Sequence, residues 1–473
     1  MLALLVIAAT LQTTPPPPAA PRETQVPQAV EKTLANGLRV IVVPKPGIPL
    51  VAARIMIKAG AAADPEGRDG LAQLTATVVT KGTKTRTAEE IARGVEALGA
   101  TMNASAGWDN SAIDVSVMSS NLSRVLEYVG DVVRNPTFPK EEVDRERTRA
   151  IDSLQVTLQE PSAIASLVAS RLVFGDAPYA HNLEGLPSTV QKIRREDLVT
   201  FHRAHYRPEN AVLVFSGDVS ADAAFALAER VFGGWKRGKG TRETVAGGQD
   251  ARPPRVVVID MPEAGQSAVV VARRGIRRTD PAYMQAMVAN AVLGGGYSSR
   301  LNQKIRIERG LSYGAESAFE ARAQAGPFTA SAQTKHESVP EVIGIITSEV
   351  KGLSENDVPQ TELLPRKAAL IGSFVFSLET TSGIVNRISA LALHGLPLSD
   401  VNRYIANVQA VTAEDVRRFA TSSLGGNDFS IVVAGNAKEF IEPLRKQFED
   451  VEVIGLGDLD LMSSRLRVRL KKE

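Results

Sequence analysis

At 473 residues the chain is longer than one hydrophobic core ordinarily organises, and it calls for two domains of about 200 residues each. Its 44% hydrophobic and 23% charged residues mark a globular chain, and 55 Lys+Arg against 53 Asp+Glu leave a formal charge of +2, which excludes a surface built for nucleic acid or an anionic membrane. The lack of cysteine excludes disulfides, thiol nucleophiles and thiolate-held zinc or iron–sulfur centres.

The first ten residues, MLALLVIAAT, carry an apolar core too short to span a bilayer and of the size of a signal-peptide core, with no Lys or Arg before it. Pro15 to Pro18 and further prolines up to Pro27 follow. Residues 1–28 therefore read as an export signal and Pro-rich tether, and the expected location is periplasmic or secreted. No later run of eighteen apolar residues occurs, so no membrane span is expected in the mature chain.

Folded sequence begins near Val30. VEKTL, Asn36-Gly37 and LRVIVVPK predict a hairpin with a type I′ turn, because Asn-Gly accepts two positive φ angles. VAARIMIKAG reads as the next strand, and TAEEIARGVEALG as a helix with Thr87 and Glu90 in a capping box. A linker rich in Gly, Pro and charge, 238–254, separates a first domain, 29–237, from a second, 255–473. Past it, RVVVIDMP and QSAVVVARRG repeat the early strand pair.

Two further pairs support duplication. IRREDLVTF and VTAEDVRRF share an acidic helix start and a closing Phe, and LVFSGD and IVVAGN are apolar strands ending at Gly217 and Gly435. Both pairs are offset by 218 residues. The expected fold is α+β: two homologous domains, each a largely antiparallel sheet packed with helices, related by internal duplication. The basic tail, Arg465 to Lys472, reads as a solvated end.

A zinc hydrolase needs three ligands, an open coordination position and a base, and a His-x-x-Glu-His helix supplies two ligands and the base. Laid on GLAQLTATVVTKGT, Gly70 to Thr83, that frame falls on Gln73, Ala76 and Thr77. The acidic helix ERTRAIDSL has Ser153 at the place of a third ligand. These segments, with LGATMNAS, YAHNLEGLPSTVQKIRREDLVTF and SSRLNQKIRIERGLSYGAES, resemble the pitrilysin/insulinase family of zinc peptidases, in particular its processing-peptidase-like bacterial branch.

The resemblance runs from about residue 30 to about 450. It implies a zinc motif degenerate at all four positions, Gln73, Ala76, Thr77 and Ser153, and no cofactor on this chain. It implies further that Arg306 and Tyr313, seven residues apart, contact peptide substrates bound at the zinc of a homologous partner subunit. The chain would then be the non-zinc subunit of a heterodimeric metallopeptidase with a closed chamber. The alternatives are an inert structural or assembly homologue, and a free peptide-binding protein.

Around this pair, Ser298 or Ser299 reads as a helix start, Leu301 and Ile305 as its apolar stripe, and Gly310 as its stop. Gly294-Gly295-Gly296 lacks the Gly-Lys-Ser/Thr of a phosphate loop and reads as the turn entering that helix. His202 and His205 form an i, i+3 pair without an acidic third ligand and read as structural; His181, His336 and His394 are isolated.

Overall fold

The computed structural model describes residues 26–238, 253–426 and 428–467. The expected export signal, most of the linker and the last basic residues lie outside these.

The first sheet contains β1 (Val30–Thr33), β2 (Arg39–Pro44), β3 (Leu50–Ile57), β4 (Thr101–Ala106), β5 (Ser111–Met118) and β6 (Ala211–Gly217), ordered β1-β2-β6-β3-β5-β4. The second contains β7 (Val256–Asp260), β8 (Ser267–Arg274), β9 (Ser312–Phe319), β10 (Pro327–Thr334), β11 (Ser430–Gly435) and β12 (Val451–Gly455), ordered β12-β7-β11-β8-β10-β9. The two 218-offset apolar runs are β6 and β11. Each is buried along its whole length and inserted between the paired strands of its half, as a run without polar alternation requires. Both sheets are mixed and largely antiparallel: β2 runs parallel to β6 and β7 to β11, whereas β3, β4 and β5, like β8, β9 and β10, pair antiparallel. The outer strands differ: β1 is the antiparallel arm of an early hairpin, and β12 a parallel strand from the chain end.

Side-chain alternation divides each sheet into two apolar faces. Val40, Val42, Ile55 and Leu213 pack on helices of their own half, among them Leu71–Val78 and Leu122–Arg134. The opposite face, with Ile41, Val43, Met56 and Val214, is covered by Ile384, Val385 and Ile388 of the helix Thr381–Leu393, from the other half. The second sheet mirrors this: Val257, Val270 and Val432 are covered by Ile164, Val168 and Leu172 of the first half's helix Pro161–Phe174. Each half thus completes a core of the other, and the linker marks a division of sequence rather than of packing.

Two contacts reinforce this exchange. Asn402 grips the backbone of Val26, accepting from its N–H at 2.8 Å and donating to its carbonyl at 3.0 Å. Arg322, from the β9–β10 connection, is buried over the rings of Trp108 and Tyr179 at 4.1 and 4.7 Å.

The hairpin around Asn36-Gly37 forms, with β1 and β2 paired from Val30↔Val42 to Thr33↔Arg39, but its turn is not type I′. Gly37 has φ 91° and Asn36 does not share a positive φ. Gly37 N donates to Leu34 O, and Leu34 N to Leu38 O, both at 2.9 Å, a longer connection closed by a glycine bulge. The Asn36 amide instead donates to Phe232 O at 2.7 Å and Trp235 O at 3.2 Å, at the end of the helix Ala221–Phe232. This tertiary anchoring overrides the local turn preference.

The capping box at Thr87 and Glu90 is present, starting the helix Ala88–Glu96. The 218-offset helices, Arg195–His205 and Ala413–Ser423, open alike, with Arg194 N donating to Asp197 Oδ2 and Thr412 N to Asp415 Oδ2. Among the described residues no single helix is long and apolar enough to cross a membrane.

Candidate functional site

The helix Leu71–Val78 is fixed at its start by Asp64, whose two carboxylate oxygens accept from Gly70 N and Ala72 N at 2.8 Å each. Burial pushes the Asp64 carboxyl up to about 8, against these amides, which pull it down. Gly70 has φ 94°, and a Cβ there would stand 2.5 Å from Glu184 O, so only glycine lets the chain enter the helix here.

On this helix Gln73 turns towards the end of β4, where its Oε1 accepts from Ala106 N at 2.8 Å. Thr77 donates its hydroxyl back to Gln73 O at 3.0 Å. Ala76 is 1% exposed and belongs to the core. Ser153 lies exposed on the helix Lys140–Thr157, which packs against the first helix. An amide oxygen engaged by backbone, a hydroxyl bonded within its own helix, a methyl and an exposed serine do not make a zinc site. Among the described residues no three His, Cys, Asp or Glu side chains gather where a metal ion could be held.

The second half presents a different face. Residues 300–301 are helical, and Asn302–Glu308 widens into a π-helix, a geometry sequence periodicity did not predict and one that recurs at functional sites. Leu301 and Ile305 are fully buried, as their stripe predicts. Gly310, at φ 63°, ends the segment by donating to Arg306 O, and the chain passes directly into β9. Alternation would turn Tyr313 inward with Ala315 and Phe319, but the pairing with β10 is irregular between Ala332 and Thr334. Released there, Tyr313 stands 88% exposed.

Arg306 and Tyr313 meet. The guanidinium carbon lies 4.7 Å from the Tyr313 ring centroid and 4.9 Å from that of Tyr297. No other side chain or carbonyl among the described residues hydrogen-bonds the Arg306 guanidinium or either phenol, so their donors face solvent. All three rim a cleft of about 880 Å³, also lined by Asn290, Gln333 and, from the first half, Ser162.

The frame behind the pair is tightly bonded. Arg300 forms a bidentate pair with Glu362, at 2.9 and 2.8 Å, tying the segment to the helix Gln360–Ser377. Arg366 of that helix donates to the hydroxyl and carbonyl of Ser298. Buried Asn302 donates to Tyr297 O and accepts from Ala315 N, joining glycine turn, π-helix and strand. Gly294 O accepts from Ser317 N at 3.2 Å, and a Cβ on Gly294 would stand 2.2 Å from that nitrogen. The glycine run is thus a backbone splice onto β9.

The histidines hold the fold. His202 Nε2 donates to Val133 O at 2.8 Å, its ring stacks on Tyr206, and burial pushes its pKa down to about 4. His205 packs on Phe201. His181 lies against Ala61 O and Asn182 O, His336 bridges Ser267 Oγ and Ala264 O, and burial lowers the pKa of His394. Sequence reading missed Tyr297 and Asn302; the available signal was an aromatic displayed directly after three glycines.

Two family models match: insulinase (peptidase family M16) over residues 39–185, and the peptidase M16 inactive domain over residues 192–370. An uncharacterised zinc protease of Streptomyces coelicolor is 26% identical over 414 residues, 86% of this chain and 89% of that protein. A non-peptidase homologue of Helicobacter pylori, YmxG, is 22% identical, over 83% of this chain and 90% of its own. The crystal structure of a peptidase M16 inactive domain from Pseudomonas fluorescens superposes with a TM-score of 0.80 at 28% identity, covering 86% of this chain and 98% of that one. The two matched models, together spanning most of the folded sequence, and the shared fold make this chain a member of the M16 (insulinase) peptidase family.

Proposed function

We propose that this chain is the non-zinc subunit of a two-chain metallopeptidase, and that it supplies Arg306 and Tyr313 to peptides held at the metal of a homologous subunit with an intact His-x-x-Glu-His helix. The observation that carries this reading is the contact of half-buried Arg306 with exposed Tyr313, at 4.7 Å, both at the rim of a large cleft. Guanidinium N–H and phenol O–H groups so placed can hold a peptide carbonyl and favour the negative charge that develops on its oxygen. Unfolded peptides enclosed between the two subunits are the substrate class, and the periplasm or cell exterior is the location.

Co-expression with a homologue bearing the intact motif tests this. The expected result is one zinc per pair, none on this chain, and peptide cleavage that requires both subunits. Chelator-sensitive cleavage by this chain alone would overturn it. The presence of Gln73, Ala76, Thr77 and Ser153 where the resemblance expects zinc ligands and a base also favours a second reading, an inert assembly protein. Under that reading, removing Arg306 and Tyr313 leaves any assembly unaffected.

A further inference from the structure

Three aromatic side chains among the described residues are largely exposed: Tyr297, Tyr313 and Phe376. Two of them bracket Arg306. Large exposed rings add little to folding and are more often contact groups, since tyrosine offers wide apolar area at low conformational cost. We infer that Tyr297 is a specificity-determining contact, a ring on which a bulky apolar or aromatic side chain of the bound peptide rests while Arg306 holds the neighbouring carbonyl. The inference deepens the proposed peptide site at Arg306 and Tyr313 and rests on it.

The geometry separates rigid support from free surface at this residue. Tyr297 O accepts from Asn302, and the next residue, Ser298, is gripped by Arg366. Gly294 and Gly295 pack so closely that a Cβ would stand 2.2 Å from Ser317 N and 2.9 Å from the Ala291 Cα, whereas Gly296 has nothing within 4 Å. The backbone is therefore pinned on both sides of a ring that is itself 66% exposed. With Arg306 against it and Tyr313 beyond, that ring presents apolar surface to the same cleft as the open donors. In an extended peptide successive side chains point to opposite faces, so a carbonyl on Arg306 places one neighbouring side chain towards Tyr297 and the next away from it. Selection at one position is the consequence.

The test uses the full chain with its seven tyrosines replaced by 3-fluorotyrosine, and fluorine NMR lines assigned from single Tyr→Phe variants. Two uncharged capped pentapeptides are titrated, one all alanine and one with a central phenylalanine. The expected result is that the phenylalanine peptide moves the Tyr297 and Tyr313 lines and binds about three- to tenfold more tightly than the alanine peptide. Y297A should equalise the two affinities without changing thermal stability, and Y297F should preserve the difference. Equal affinities in the parent chain, or a difference that survives Y297A, would overturn the inference while leaving Arg306 and Tyr313 as peptide contacts. Shifts from neither peptide would overturn the inference; the proposed function is decided separately, by cleavage activity of the assembled pair and its loss in R306A and Y313F.

Discussion

The two halves share a strand plan but use their polar groups in opposite ways. In the first, the side chains of the helix Leu71–Val78 are absorbed by the fold: Gln73 caps Ala106 N, Thr77 bonds its own helix and Ala76 fills the core. In the second, backbone and buried side chains do the supporting, through Gly294 on Ser317, Asn302 on Ala315 and Arg300 on Glu362. The side chains of Tyr297, Arg306 and Tyr313 are left with open donors. A group bonded within the fold is part of its stability; a group displayed on a frame bonded by others is available to a ligand.

The largest expected effect tests that contrast directly. In an assembled pair, R306A or Y313F should lower kcat/KM by on the order of 10²–10³, the usual consequence of removing one donor to a developing oxyanion. Thermal stability should move little, because Tyr313 is exposed and, among the described residues, the Arg306 guanidinium touches the rings of Tyr297 and Tyr313 but hydrogen-bonds no acceptor. An equal loss of activity from Q73A in the same pair would erase the distinction between the halves.

A pH difference of about 3 kcal/mol should come next. The helices Arg195–His205 and Ala413–Ser423 correspond at the 218-residue offset, which sets His202 against Ala420. In the fold His202 is neutral, its pKa lowered to about 4 chiefly by burial. As pH falls below 6.5 the unfolded chain binds a proton that the fold refuses. The stability contributed by neutral His202 is therefore complete above 6.5 and lost as pH falls towards 4, by about 3 kcal/mol in total. The raised Asp64 carboxyl slopes the opposite way over the same range, so urea midpoints should show the His202 contribution as a change of slope between the parent chain and H202Q. An unchanged slope would place the titration elsewhere.

Within the glycine turn, G294A should cost about 1–3 kcal/mol, since its methyl would collide with backbone that cannot yield. G296A, with open space around it, should be close to neutral. Equal effects would mean that the turn is not spliced to β9 and that Tyr297 is not rigidly displayed.

Much of this arrangement was legible in the sequence. Uninterrupted apolar runs marked β6 and β11 as central strands, and the shared offset exposed the duplication. The buried stripe of Leu301 and Ile305 and the stop at Gly310 located the support of Arg306. What escaped depended on distant partners. Asn36 looked like a turn residue but is bonded to Phe232 O, and nothing local to Ile388 marks it as a cover for the other half's sheet. The π-helix and the irregular pairing between Ala332 and Thr334, where Tyr313 is released from the sheet, leave no periodic trace.

The smallest effect concerns Gln73 and decides how completely the side chains of the helix Leu71–Val78 belong to the fold. Q73A removes one hydrogen bond, to Ala106 N, at the open edge of β4 where water can take its place. The cost should be at the low end for a lost bond, about 1 kcal/mol or less, read as a small shift in urea midpoint. Q73H adds one possible ligand but leaves Ala76 buried, Thr77 bonded to Gln73 O and Ser153 without a carboxylate. Zinc should therefore not raise its melting temperature, because one imidazole does not close a tetrahedral site. A clear zinc-dependent rise would reveal further ligands near that helix, and the first half would then be a metal site short of one residue rather than a surface given over to packing.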